Sequence, residues 1–207
     1  MTIKDWSNCL TRDYVTHYHD ESHDMMHLIP IRPEEKYPSV NWPSNWERAR
    51  LPGLTSDLAS FLFKVLHNTL PTREKQANFK GGDSNWACNL CTTGNKDDLL
   101  HTFQGCFFNK HNFNYMLGLI QQQVLDISPT QVIYLSYDPL VQQYDLAVVT
   151  VIATSLMFIW NNRVRSLKRD NHYLHAEIFA RAKIMSYTTK FRNSATVLFE
   201  MLYKFPP

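Results

Sequence analysis

Between Leu140 and Phe205 the sequence contains neither glycine nor proline. With no strong breaker there, the last third of the chain is expected to form two or three packed helices, interrupted at Asn161-Asn162 and Asp170-Asn171. Cysteine is scarce as well. Four residues in 207 are too few for the dense disulfide framework of a small secreted domain. The longest apolar run, Leu146 to Trp160, is fifteen residues and includes Thr150, Thr154 and Ser155. A spanning helix needs about 20 apolar residues, so this run predicts a buried helix and no membrane partner. The first residues show neither an apolar signal core nor an arginine-rich transit pattern, and an intracellular protein, in cytoplasm or nucleus, is expected. Strand signals are sparse: Val132-Ile133-Tyr134-Leu135 is the one convincing β-like run, and it is short.

What is present supports a real core, with 44% hydrophobic and 13% aromatic residues. The net charge of +2 hides an asymmetry. Residues 1–50 carry six Lys/Arg against eight Asp/Glu, whereas residues 160–204 carry nine against three, which puts the basic surface at the C-terminal end. Residues 1–45, punctuated by Pro30, Pro33, Pro38 and Pro43, form a polar arm or linker. Leu54, Leu58, Phe61, Leu62, Val65 and Leu66 then recur at the spacing of one helix face. Thr55 or Ser56 can cap that helix, and Pro71 can close it. Phe113, Met116, Leu117, Ile120 and Val124 mark a second amphipathic helix, ending near Asp126. Asp138-Pro139 has the form of a cap before a long third one. The expected fold class is mainly α, with an irregular loop and a C-terminal group of long helices.

Three of the four cysteines lie close together, in Cys88-x2-Cys91-x9-His101-x4-Cys106. Thiolates with an imidazole suit zinc, and two residues between cysteines let both sulfurs face one ion. A tetrahedral site filled by four protein ligands has no open position for water, so one structural Zn2+ is expected. His101 and Cys106 differ by five positions, roughly 140° around an ideal helix. The helix must break between them, and Gly105 is the residue expected to break it by adopting a conformation that others avoid. His111 is the alternative third ligand. Binding of this kind contributes on the order of 10 kcal/mol to the folding of small modules.

From about Trp46 to Leu117 the chain resembles the zinc-binding region found downstream of the reverse transcriptase in non-LTR (LINE-type) retrotransposon polyproteins. The resemblance is carried by Phe61-Leu62-Phe63-Lys64-Val65-Leu66-His67-Asn68, the Leu70-Pro71-Thr72-Arg73 element, the cysteine pair, and Leu99-Leu100-His101-Thr102-Phe103 leading to Cys106. The acidic residue that the family usually places shortly before the histidine is matched by Asp97 or Asp98. Ile159-Trp160 and Arg163 resemble, less specifically, the helical tail that follows the module. The resemblance implies a zinc-binding module over 46–127, a basic helical region over 130–207, and a non-catalytic role in holding RNA or DNA near a reverse transcriptase domain of the same or another chain.

Arg163, Arg165, Lys168, Arg169, Arg181, Lys183, Lys190 and Arg192 are the candidate phosphate contacts, with Trp160, Tyr173 and Phe191 available to stack on bases. Arg73 is expected to bond carbonyls at the end of the preceding helix or near the loop. Enzymatic readings find little. The only Asp-Asp, Asp97-Asp98, follows Asn95-Lys96 instead of an apolar strand, and reads as the start of a short helix into His101. Asp24 with Glu34-Glu35-Lys36 is a distant lookalike of an endonuclease motif. His19, His23 and His27, four apart, would share a helix face; a polar surface helix with solvated histidines is the favoured reading and a second metal site the alternative, while Cys9 reads as an ordinary thiol. The competing non-enzymatic reading is a zinc-stabilised protein-interaction adaptor.

Overall fold

The structure, a computed structural model, describes residues 42–79, 86–91, 94–124, 127–138, 142–165 and 169–207. Cys9, the histidines at 19, 23 and 27, Asp24, Glu34 to Lys36 and Lys168 lie outside the described residues. The chain is mainly helical: α1 Trp42–Arg48, α2 Ser56–Leu66, α3 Arg73–Phe79, α4 Lys110–Ile120, α5 Pro129–Ile133, α6 Asp145–Val164, α7 Asn171–Ser186 and α8 Arg192–Lys204. Among the described residues there is no strand longer than an isolated bridge.

The long apolar run becomes the middle of α6, which packs against α2, α4, α7 and α8. Its apolar residues lie on every side, as expected of a helix enclosed by neighbours, and Val148, Val149, Val151, Ile152, Leu156 and Ile159 are fully buried. By length and composition α6 is long enough to cross a membrane, yet 83% of its apolar stretch is buried within the fold. Leu58, Leu62 and Val65 of α2 and Phe113, Met116 and Ile120 of α4 enter the same core, so the helical faces read from periodicity are the faces buried.

Several boundaries differ from expectation. Trp42 and Pro43, expected in the arm, start α1, where an early proline is tolerated because the N–H it lacks would have had no helical partner. Thr55 stands at the N-cap of α2 without capping it; its hydroxyl accepts from Arg181 Nη1 at 2.7 Å. Asn68, not Pro71, ends that helix. At φ 50° it turns left-handed, and Asn68 N donates to Val65 O while Thr69 N donates to Lys64 O, which satisfies two terminal carbonyls. The β-like run is not a strand: Ser128 and Gln131 close a reciprocal capping box around Pro129 and start α5, which takes in Val132 and Ile133, while Tyr134 and Leu135 form the turn that ends it.

The long helix starts at Asp145, several residues after Asp138. Asp145 is held there by Arg48 at 3.2 Å and by the Tyr137 hydroxyl at 2.7 Å. Asn161 and Asn162 do not interrupt α6, which continues to Val164, and Asn162 is buried. Asp170 does mark a break, its carboxylate accepting from His172 N at the start of α7.

Candidate metal centre

The loop before His101 is built on a short antiparallel pairing. Cys88 N donates to Asn95 O at 3.0 Å and Asp97 N to Trp86 O at 2.9 Å, which fixes Cys88 and sets Cys91 on the turn beyond it. Gly94, at φ +67°, brings the chain back to Asn95, a left-handed step that glycine takes without a Cβ clash.

Asp98 then starts a helical segment as its cap, its carboxylate accepting from His101 N at 2.7 Å. The segment widens into a π turn over His101–Gly105, closed by Cys106 N donating to His101 O at 2.7 Å. This is how His101 and Cys106 come to share one side. Bonding at i→i+5 makes five residues about one turn, so the turn is widened where a break was expected. Gly105 is not in the left-handed region. Its value is space, because a Cβ there would lie 3.0 Å from His101 Nδ1.

Cys88, Cys91, His101 and Cys106 are all buried, and their four ligand atoms lie within 4.8 Å of one another. Cys88 Sγ is 4.0 Å from Cys106 Sγ, and Cys91 Sγ is 3.3 Å from His101 Nε2. On a tetrahedral zinc two thiolates stand roughly 3.8 Å apart, and a thiolate and an imidazole nitrogen roughly 3.6 Å. The donor set therefore fits one small divalent ion. No disulfide joins these cysteines; they pack with Leu90 and Phe108 in a small cluster of their own. His111, the alternative ligand, is exposed on α4 and outside the group.

Burial works against ionising Cys88, but N–H donors from Leu90 and Cys91, then His101 and Arg163, outweigh it and hold the thiol below its ordinary pKa. Cys106 has less help. Burial pushes its thiol up to about 12; the Phe108 N–H opposes this, while the charges of Cys88 and Cys91 add to it. A divalent cation among the sulfurs would reverse that penalty, since a coordinating thiol is deprotonated outright.

A second layer surrounds the cluster. Asp97 is fully buried and accepts from Arg73 N at 3.0 Å, Thr102 Oγ1 at 3.3 Å and Arg163 Nη2. Arg73 also donates to Ala87 O at 3.3 Å, which places it at the loop. Arg163 Nη1 lies 3.8 Å from Cys88 Sγ.

This corrects the expectation for Arg163. Its side chain is 8% exposed and engaged by Asp97, so it is not presented to a phosphate. Arg181 is likewise paired, with Asp57 at 2.7 Å and with Thr55. Arg165, Lys183, Lys190 and Arg192 are exposed, and Arg169 is half-buried with its guanidinium 5.8 Å from the Tyr173 ring centroid. Arg165 and Arg169 sit at the α6–α7 connection, and Lys183, Lys190 and Arg192 near the α7–α8 connection. The two groups are separated by α7, about 24 Å long. Of the stacking candidates Tyr173 is exposed, whereas Trp160 and Phe191 are partly buried against the core.

No protein-family model, no curated protein and no solved structure matches this chain.

Proposed function

We propose that this chain is a non-catalytic nucleic-acid-binding segment whose loop is clasped by one structural zinc ion, akin to the module that follows the reverse transcriptase in non-LTR retrotransposon polyproteins. The observation that carries the reading is the closed Cys3His quartet: four buried donors around one centre. Thiolate-rich tetrahedral sets select zinc over harder cations, and a fully ligated ion holds structure without activating water. The quartet occurs within the segment that bears the family resemblance, and exposed cations flank α7 on the same chain. In this reading Arg165, Arg169, Lys183, Lys190 and Arg192 contact phosphates and Tyr173 offers a face for a base. The partner is RNA or DNA, positioned for a polymerase domain of the same or another chain.

Salt tests the nucleic-acid role. Fluorescence anisotropy with labelled single-stranded RNA and DNA should give affinities that fall with rising salt, with a log–log slope of at most roughly 3.5 if all five cations meet phosphate. A Lys183→Glu, Lys190→Glu, Arg192→Glu variant should lose binding and flatten the slope. Absence of binding at low salt by the zinc-loaded parent would contradict the role.

One observation favours a second reading, the protein-interaction adaptor. Tyr173, Ile184, Tyr187 and Tyr203 of the α7–α8 region are exposed, Tyr187 by 76% and Tyr203 by 89%. Aromatic surface of this kind is enriched at protein interfaces, and such an interface would change little with salt.

A further inference from the structure

We propose that Arg163 is the positioning and charge-balancing residue of the metal clasp, so that loading of the ion and seating of the loop on α6 are one event. The inference rests on the zinc reading above and adds a residue to it from 57 positions beyond the last cysteine.

Charge is the first constraint on the site. Three thiolates, a neutral imidazole and a divalent ion sum to −1, in a site whose four side chains are buried. Asp97, also buried, adds another −1. Unbalanced negative charge at such depth is strongly unfavourable unless a cation and hydrogen bonds accompany it. Arg163 supplies both: its side chain is 8% exposed, one terminal nitrogen is 3.8 Å from Cys88 Sγ, and the other is bonded to Asp97.

The fork geometry of a guanidinium matters here, because two fixed N–H groups can serve two different acceptors at once. Lysine has one nitrogen and cannot hold both positions. The partners of Asp97 complete the connection. It accepts from Arg73 N at the start of α3 and from Thr102 within the π turn, so one carboxylate ties the metal loop to its two flanking segments while Arg163 ties it to the core helix. Groups that orient ligands in this way typically contribute 10–100-fold to metal affinity.

The test uses the full chain and the metals alone. Zinc affinity is measured by competition with a chromophoric chelator for the parent, Arg163→Lys and Arg163→Met, and the cobalt(II)-substituted forms are compared by the energy of their thiolate-to-metal charge-transfer bands. Arg163→Met should weaken zinc binding roughly 10–100-fold and shift the band to lower energy, since a thiolate that loses an N–H donor becomes the better electron donor. Arg163→Lys should fall between and serves if the methionine variant does not fold. Arg48→Met, which breaks a comparable part-buried pair with Asp145 away from the clasp, should lower stability and leave both readouts unchanged. Unchanged affinity and spectrum in Arg163→Lys and Arg163→Met, or the same changes in Arg48→Met, would overturn the proposal. A parent that binds no zinc would instead overturn the zinc reading beneath it.

Discussion

Replacing Asp97 with alanine removes one small side chain and leaves three donors without their acceptor. The carboxylate is fully buried and takes hydrogen bonds from Arg163, Arg73 N and Thr102 Oγ1. Deleting one partner of a buried ion pair costs about 3–5 kcal/mol, because the charge left behind has no compensation. For a fold of this size each kcal/mol lowers Tm by about 2–4 °C, so Asp97→Ala should lose about 6–20 °C in the zinc-loaded protein. The assay is urea and thermal unfolding followed by far-UV circular dichroism, at fixed excess zinc so that each protein is metal-loaded, any weakening of zinc binding then being part of the measured loss. The Asp97→Ala, Arg163→Met double variant supplies the internal check. With both charges gone no orphaned cation remains, and the pair should cost less than the sum of the single substitutions. An Asp97→Ala protein within about 1 kcal/mol of the parent, or a double variant as costly as the sum, would refute the assignment of this pair as a buried, coupled contact.

Two other sites give independent expectations. Gly105→Ala places a methyl group 3.0 Å from His101 Nδ1, so the imidazole must move; chelator competition should show zinc affinity several-fold weaker, and parent-like affinity would contradict the spacing argument. Asp57 is held below the usual carboxylate range by its hydrogen bond to Arg181, against a smaller opposing effect of burial. Because its folded pKa is depressed, its stabilisation is present above the unfolded value of about 4 and is lost as pH falls below it. The Asp57 side chain is 44% exposed, so screening limits the effect to at most about 1 kcal/mol. Asp57→Asn should therefore show a shallower fall in urea midpoint between pH 5 and pH 2 than the parent, and an identical fall in both would contradict the expectation.

The parts of this structure that were legible in the sequence are those whose signal is local. The 3.6-residue spacing of Leu58, Leu62 and Val65 is sufficient for α2, and paired cysteines in a Gly- and Asn-rich stretch are sufficient for the quartet. Asp98 as the start of a short helix into His101 follows from the same local logic. Where two local signals conflict, pattern alone misleads. Val132 to Leu135 has the composition of a strand, but the Ser128-Pro129-Thr130-Gln131 cap precedes it and the backbone follows the cap. Proline is the louder breaker and points to Pro71 as the end of α2, whereas Asn68, which tolerates a left-handed backbone, ends it first.

Arg163 was not legible as part of the metal centre for a different reason. It lies 66 positions from Asp97 and 75 from Cys88, and only the packing of α6 beneath the loop brings them together. In the sequence it is a cation of the basic region and part of the tail resemblance, with nothing that links it to the cysteines. The π turn is also invisible to a 3.6-residue period, and Gly105 shows its purpose only once the His101 ring is seen beside it.

Cys88, Cys91, His101 and Cys106 are arranged to hold one metal ion. The most direct test of that role is native mass spectrometry of the protein purified without added metal, alongside a Cys88→Ser, Cys91→Ser variant. One zinc per chain is expected in the parent and none in the variant. A folded parent free of metal, or a variant that keeps its ion, would contradict it.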